Sequence, residues 1–139
     1  MQVIDATDLV LGRMCSEVAK RIMRGEELII VNAENAVISG KKSMLIARYK
    51  NDYSAGAKND GPFWPKRPDL FVKRAIRGMV PWNKFTGREA FKRVKAYLGV
   101  PDEYKGMEFT TFETAKAADL GTLNRIKVGD LCKQIGWSS

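Results

Sequence analysis

The sequence predicts an α/β fold built on a short, mainly parallel sheet with helices against it, carrying a basic extension of helices and a loop. Three observations predict it. Glu27–Asn32 (ELIIVN) is an apolar run without alternation, which suits a strand covered on both faces, as in a parallel sheet. Gly12–Arg24 has helical periodicity. A strand, a helix and a strand within about 30 residues form a βαβ unit, whose crossover is normally right-handed.

The elements follow in order. Met1–Thr7 (MQVIDAT) reads as a short strand. In Gly12–Arg24 the apolar residues Cys15, Val18, Ala19 and Ile22 fit the i, i+3, i+4, i+7 template, with Arg13, Glu17, Lys20 and Arg21 mostly on the other side. Gly25 stops this helix. Ala36–Ser39 is a third strand candidate. Gly40 leads into a helix over about Lys41–Tyr53, with Met44, Leu45 and Ala47 inward. Ser54–Pro68 is a long loop, because Gly56, Gly61, Pro62, Pro65 and Pro68 break every period. Asp69–Met79 is predicted helical with Asp69 as N-cap, ended by Gly78 and Pro81. Thr86–Leu98 is predicted as the clearest helix. Thr86 and Glu89 supply a capping box, Phe91, Val94 and Leu98 an apolar stripe, and Gly99 and Pro101 the stop. In that helix Arg88, Lys92 and Lys95 share one outward face. Glu108–Thr111 reads as a short strand and Gly129–Ile135 as a short helix. With no repeat, low-complexity tract or linker, residues 1–139 are read as one domain.

Composition excludes several kinds of chemistry. The chain has no histidine, which removes His general bases, Ser-His and Cys-His pairs and most zinc sites. Cys15 and Cys132 are distant in sequence and belong to no CxxC pair, so they are expected to be reduced, buried thiols. The βα turn at Asp8–Gly12 has a single glycine and lacks both phosphate-loop patterns, so no nucleotide cofactor, and no cofactor or metal at all, is expected. No segment reaches the ~18 apolar residues of a membrane span. The start MQVIDATD has acids where a signal peptide needs a basic region. A soluble, cytoplasmic protein is therefore expected, with no membrane partner and no small-molecule substrate.

Charge locates the function. The net charge is +8. Residues 41–95 hold 15 Lys/Arg and 4 Asp/Glu, while the rest holds 9 and 12. The positive excess thus lies in one continuous segment, and a generic solubility surface would mix both signs. Its cations are Lys41, Lys42, Arg48, Lys58, Lys66, Arg67, Lys73, Arg74, Arg77, Lys84, Arg88, Lys92, Arg93 and Lys95, with Lys50 beside them. Arg binds phosphate bidentately and Lys binds it as a point charge, so the expected partner is a polyanion. Phe63, Trp64 and Trp82 either stack on unpaired bases or pack in the core. RNA is favoured over DNA, because GMVPWNKF between the two basic helices is too long and proline-bearing for a helix-turn-helix. An enzyme acting on RNA or a phosphorylated substrate would need a carboxylate base from Asp5, Asp8, Asp69 or Glu89. A regulator that binds messenger RNA or a protein partner is a third possibility.

Three blocks carry a family resemblance: LGRMCSEVAKRIMRG (Leu11–Gly25), IIVNAENAVISG (Ile29–Gly40) and RGMVPWNKFTGREAFKRVKAYLGVP (Arg77–Pro101). In this order they resemble the universal large-subunit ribosomal proteins of the L-thirteen family. The C-terminal GDLCKQIGW and the compact start are more similar to its archaeal members. The resemblance implies a three-layer α/β/α fold and a structural role organising large-subunit ribosomal RNA beside neighbouring ribosomal proteins. Carried over by motif, RNA contacts fall on Arg77, Lys84, Arg88, Lys92 and Arg93. Two pairs depart from the pattern: Trp82-Asn83 follows R-G-M-x-P, and Phe85-Thr86 intrudes before Gly87-Arg88.

Overall fold

A computed structural model describes residues 2–54, 65–112, 115–116 and 124–137. Strand β1 (Gln2–Asp5) leads through helix α1 (Leu11–Met23) to β2 (Leu28–Val31). Then come a 3₁₀ turn (Ala33–Asn35), β3 (Val37–Ser39), α2 (Lys42–Ser54), α3 (Pro68–Arg77), α4 (Phe85–Phe91) and β4 (Val94–Ala96). A second 3₁₀ turn (Asp102–Tyr104), β5 (Phe109–Thr110), β6 (Arg125–Lys127) and α5 (Val128–Gln134) complete the described elements. The main sheet has the order β4-β2-β1-β5, and each of its pairings is parallel. The βαβ unit is β1-α1-β2, as the sequence predicts.

The result is a three-layer α/β fold. On one sheet face Ile4, Leu28, Ile30 and Val94 meet Met14, Cys15, Val18 and Ile22 of α1, together with Val72 and Ile76 of α3. Burying each large aliphatic side chain there contributes about 1.5–3 kcal/mol relative to exposure. On the other face Val3, Ile29 and Val31 are covered by Tyr97, Val100 and Tyr104 of the segment that carries the second 3₁₀ turn. Both faces of β2 are covered, which is why its sequence does not alternate.

The Asn32-Ala33-Glu34 stretch ties the C-terminal ends of three strands together. Asn32 adopts φ 55°, in the left-handed region that Asn tolerates. Its side-chain amide donates to the Asp5 carboxylate at 3.1 Å, and its backbone N–H donates to the Gly99 carbonyl at 2.9 Å. The Gly99 N–H in turn donates to both Glu34 carboxylate oxygens, at 3.2 and 3.1 Å. Burial works against the Asp5 charge, yet the hydrogen bonds from Thr7 and Asn32 hold its pKa below the usual carboxylate value. A charge-assisted hydrogen bond is worth about 1.5–3 kcal/mol, so Glu34→Ala is expected to destabilise the fold by about that much in urea unfolding. An unchanged midpoint would show that this linkage is dispensable.

Five expectations are corrected. The predicted helix Thr86–Leu98 ends at Phe91, and Val94–Ala96 instead forms β4. The open edge of β2 takes it: Leu28 pairs with Val94, Ile29 with Lys95 and Ile30 with Ala96. Val94 and Ala96 then face the core with Lys95 outward between them, so the period there is two. Arg88, Lys92 and Lys95 therefore share no helix face. The capping box is also absent: Lys84 is the N-cap and makes no side-chain cap, while Glu89 pairs with Lys92 at 3.1 Å. At α3 the N-cap is Arg67, because Pro68 with its fixed φ takes the first helical position. Asp69 sits in the first turn, where it pairs with Arg67 at 3.0 Å. On α2 Leu45 is buried, Met44 is 63% exposed and Ala47 is exposed, while Ile46, Tyr49 and Tyr53 pack against the core. β3 lies outside the main sheet and pairs antiparallel with β6, which has no forecast in the sequence reading.

Cys15 and Cys132 are free and buried, as expected. Burial pushes both thiols up to about 12, for Cys132 with help from the Asp69 charge. The thiolate is the reactive form, so native protein at pH 8 is expected to resist iodoacetamide and to react fully once unfolded. Equal labelling rates in the two states would contradict this.

Candidate nucleic-acid interface

Helix α3 buries Phe71, Val72 and Ile76, which leaves Lys73, Arg74 and Arg77 on its outer side. The turn after α3 brings Trp82 back beneath these cations. The Arg77 guanidinium lies over the Trp82 ring, 4.4 Å from its centroid. Trp82 meets Phe91 edge-on at 5.2 Å, and the Lys73 ammonium lies 4.5 Å above the Phe91 ring. Two aromatic rings thus hold two cations in fixed positions along one groove of about 410 Å³, lined by Pro65, Leu70, Lys73, Arg74, Arg77, Trp82 and Phe91. Stacking uses the face of the guanidinium. Its N–H donors lie in the plane and are not consumed by it. Partial burial lowers the Lys73 pKa, the nearby Lys95 charge lowers it further and Asp69 opposes them. A bound phosphate would favour the Lys73 charge.

The wall of the groove is held rigidly. Lys84 N–H donates to the Pro81 carbonyl at 3.0 Å, closing the turn. Gly87 of α4 is buried directly against Pro81, where a Cβ would overlap the Pro81 carbonyl group. Arg88 donates to the Trp82 carbonyl at 3.2 Å. The sequence Pro81–Gly87 is thereby folded into one tight unit, and a glycine is required at its contact point.

The other predicted cations are placed elsewhere. Lys92 pairs with Glu89 and lies with Arg93 and Lys95 in a depression that also includes Glu27 and Glu89, so the sign there is mixed. Arg93 donates to the Ile22 carbonyl at 2.8 Å and so ties α4 to the C-terminal end of α1. Arg67 is paired with Asp69, and the Lys66 ammonium lies beside Gly136. Arg48 is exposed on α2, 6.0 Å from the Tyr49 ring centroid. Lys41 and Lys42 line a second, separate depression with Arg125 of β6. Lys127 joins Lys42 and Arg125 around a neighbouring basin that also holds Asp8 and Asp130. Arg125 and Lys127 are absent from the sequence reading, because a three-residue strand outside the basic segment gives no periodic signal. Lys58, Phe63 and Trp64 lie outside the described residues.

Three of the four candidate carboxylate bases are engaged in structure, and Asp8 lines the basin with Lys42, Arg125 and Lys127. Asp5 accepts from Thr7 and Asn32, Asp69 pairs with Arg67 and Glu89 pairs with Lys92. Among the described residues no cluster of three or more acidic or thiol side chains is arranged to hold a metal ion. No helix among them is long and apolar enough to cross a membrane.

Residues 1–103 match the family described as Ribosomal protein L13. The chain is 43% identical to the large ribosomal subunit protein uL13 of Methanococcoides burtonii over 136 residues, covering 98% of each chain. It is 44% identical to that of Methanocaldococcus jannaschii over 140 residues, again covering 98% of each. With the uL13 of Archaeoglobus fulgidus it shares 47% identity over 113 residues, 81% of this chain and 72% of the relative.

Proposed function

The chain belongs to the ribosomal protein L13 family, which is not an enzyme family, and we propose that it serves as an architectural RNA-binding component of the large ribosomal subunit in the cytoplasm. The observation that carries this reading is the groove lined by Lys73, Arg74 and Arg77, in which Lys73 stands over the Phe91 ring and Arg77 over the Trp82 ring. Cations with fixed positions suit the phosphates of a folded RNA, whose spacing is also fixed. The mechanism is neutralisation and orientation, with no bond made or broken. Lys84 and Arg88 extend the basic track along the Pro81–Gly87 unit. Lys41, Lys42, Arg125 and Lys127 offer a second contact at the β3–β6 end. Arg93 acts within the protein, by holding α4 in register with α1. The depression with mixed charge around Lys92, Arg93 and Lys95 suits a neighbouring ribosomal protein better than a phosphate backbone.

Filter binding of the full chain to large-subunit ribosomal RNA, with small-subunit RNA as competitor, tests this reading. Binding is expected to prefer the large-subunit RNA and to weaken steeply between about 50 and 200 mM salt. Equal affinity for both RNAs, or affinity indifferent to salt, would overturn it.

A further inference from the structure

We propose that Phe85 is a base-stacking residue, its ring taking the face of an unpaired nucleobase in the RNA whose backbone runs along Lys84 and Arg88. The inference rests on the RNA-binding reading above. Phe85 opens α4 and is 69% exposed, more than any other large apolar side chain among the described residues. Its described neighbours in sequence Asn83, Lys84, Thr86 and Arg88 are exposed and polar, so they form no apolar patch with it. A protein partner reading this site would look for contiguous apolar surface. A nucleotide fits better, because it brings a π-face and a phosphate together.

The electrostatic setting agrees. Between Asp69 and Glu89 the chain carries Lys73, Arg74, Arg77, Lys84 and Arg88 and no acidic residue. The backbone that carries the ring is held, since the Pro81–Lys84 turn before it is closed by the Lys84-to-Pro81 hydrogen bond and packed against Gly87. Little backbone ordering entropy is then lost on binding. Of the three aromatics that the sequence offers for stacking, Phe63 and Trp64 lie outside the described residues and Trp82 is already engaged by Arg77 and Phe91. Phe85 has its face free for the task, and stacking of this kind tolerates any base.

The test is filter binding of the full chain to large-subunit ribosomal RNA over a salt series, with Phe85→Ala, Phe85→Leu, Phe85→Trp and Arg77→Gln. Phe85→Ala and Phe85→Leu are expected to weaken binding about tenfold at every salt concentration, within the range for loss of one base–aromatic stack. Their salt slope stays that of the parent, because no charge is removed. Phe85→Trp is expected to bind like the parent, and Arg77→Gln to flatten the slope. Phe85→Ala binding as well as the parent, or Phe85→Leu binding as well as Phe85→Trp, would overturn the stacking assignment while leaving the RNA reading intact. So would normal RNA binding by Phe85→Ala with reduced incorporation into large subunits, which would make the ring a protein contact. No preference of the parent for large-subunit RNA, with Arg77→Gln unchanged, would remove the RNA reading and the stacking with it.

Discussion

Replacing Lys73, Arg74 and Arg77 together by glutamine is expected to weaken binding to large-subunit ribosomal RNA on the order of 100-fold near physiological salt. The figure assumes about 1 kcal/mol for each lost cation–phosphate contact, which at 1.4 kcal/mol per factor of ten multiplies to that size. A second signature is independent of that assumption. Each neutralised phosphate contributes about 0.9 to the slope of log affinity against log salt, so the triple variant should lose about 2.7 from it. Glutamine retains helix propensity and length, so α3 is expected to persist. The thermal unfolding of the variant is the control. Its aromatic platform loses the Lys73 and Arg77 contacts, each worth about 0.5–1 kcal/mol at an exposed site, and the midpoint should fall by only a few degrees. A variant that melts normally and binds with the parental slope would remove the α3 groove from the binding surface.

Gly87→Ala is expected to destabilise the fold more than alanine at any other described glycine, because none of the others brings a Cβ so close to backbone. The new Cβ would overlap the carbonyl group of Pro81, and that backbone has no free direction in which to yield. It is fixed by the proline ring and by the Lys84 N–H at 3.0 Å. Relief therefore requires α4 to move away from the turn. Ala90 on the same helix is fully buried, and β4 follows two residues after α4 ends, so the movement reaches the core. Overpacking of this kind costs about 1–3 kcal/mol and sometimes more. For a domain of this size that lowers the melting temperature by roughly 5–10 °C. RNA binding should weaken as well, since Trp82, Lys84 and Phe85 are positioned by the same turn. A melting temperature within a degree of the parent would show that the contact can relax and that the turn is not clamped as described.

The legible parts of the fold are those whose signals are local. The stripe Cys15, Val18, Ala19 and Ile22 gives α1, and the unbroken run Leu28–Val31 gives a strand covered on both sides. Where the structure departs from the sequence reading, a distant partner decides. Val94–Ala96 has a helical stripe in front of it and a strand's alternation within it, and the free edge of β2 settles the conflict. β3 and β6 need each other across almost ninety residues, which no local window contains. The candidate site divides in the same way. Charge counting finds the segment that holds Lys73, Arg74, Arg77, Lys84 and Arg88. It does not foresee that the Arg93 guanidinium caps α1 or that Lys95 lies on β4 in register with Ile29. Arg125 and Lys127 join the basic surface through tertiary pairing alone. Phe91 is read from sequence as core and proves to be half of the aromatic platform that holds Lys73.

The central claim is that the α3–α4 surface lies against RNA in the large subunit. Ultraviolet crosslinking of purified large subunits, followed by mapping of the crosslinked peptides of this chain, tests it most directly. The expected result is crosslinks concentrated in residues 66–93, with Trp82, Phe85 and the lysines beside them among the attachment points. Crosslinks confined to the opposite sheet face, around Tyr97 and Tyr104, with none between Lys66 and Arg93, would contradict it.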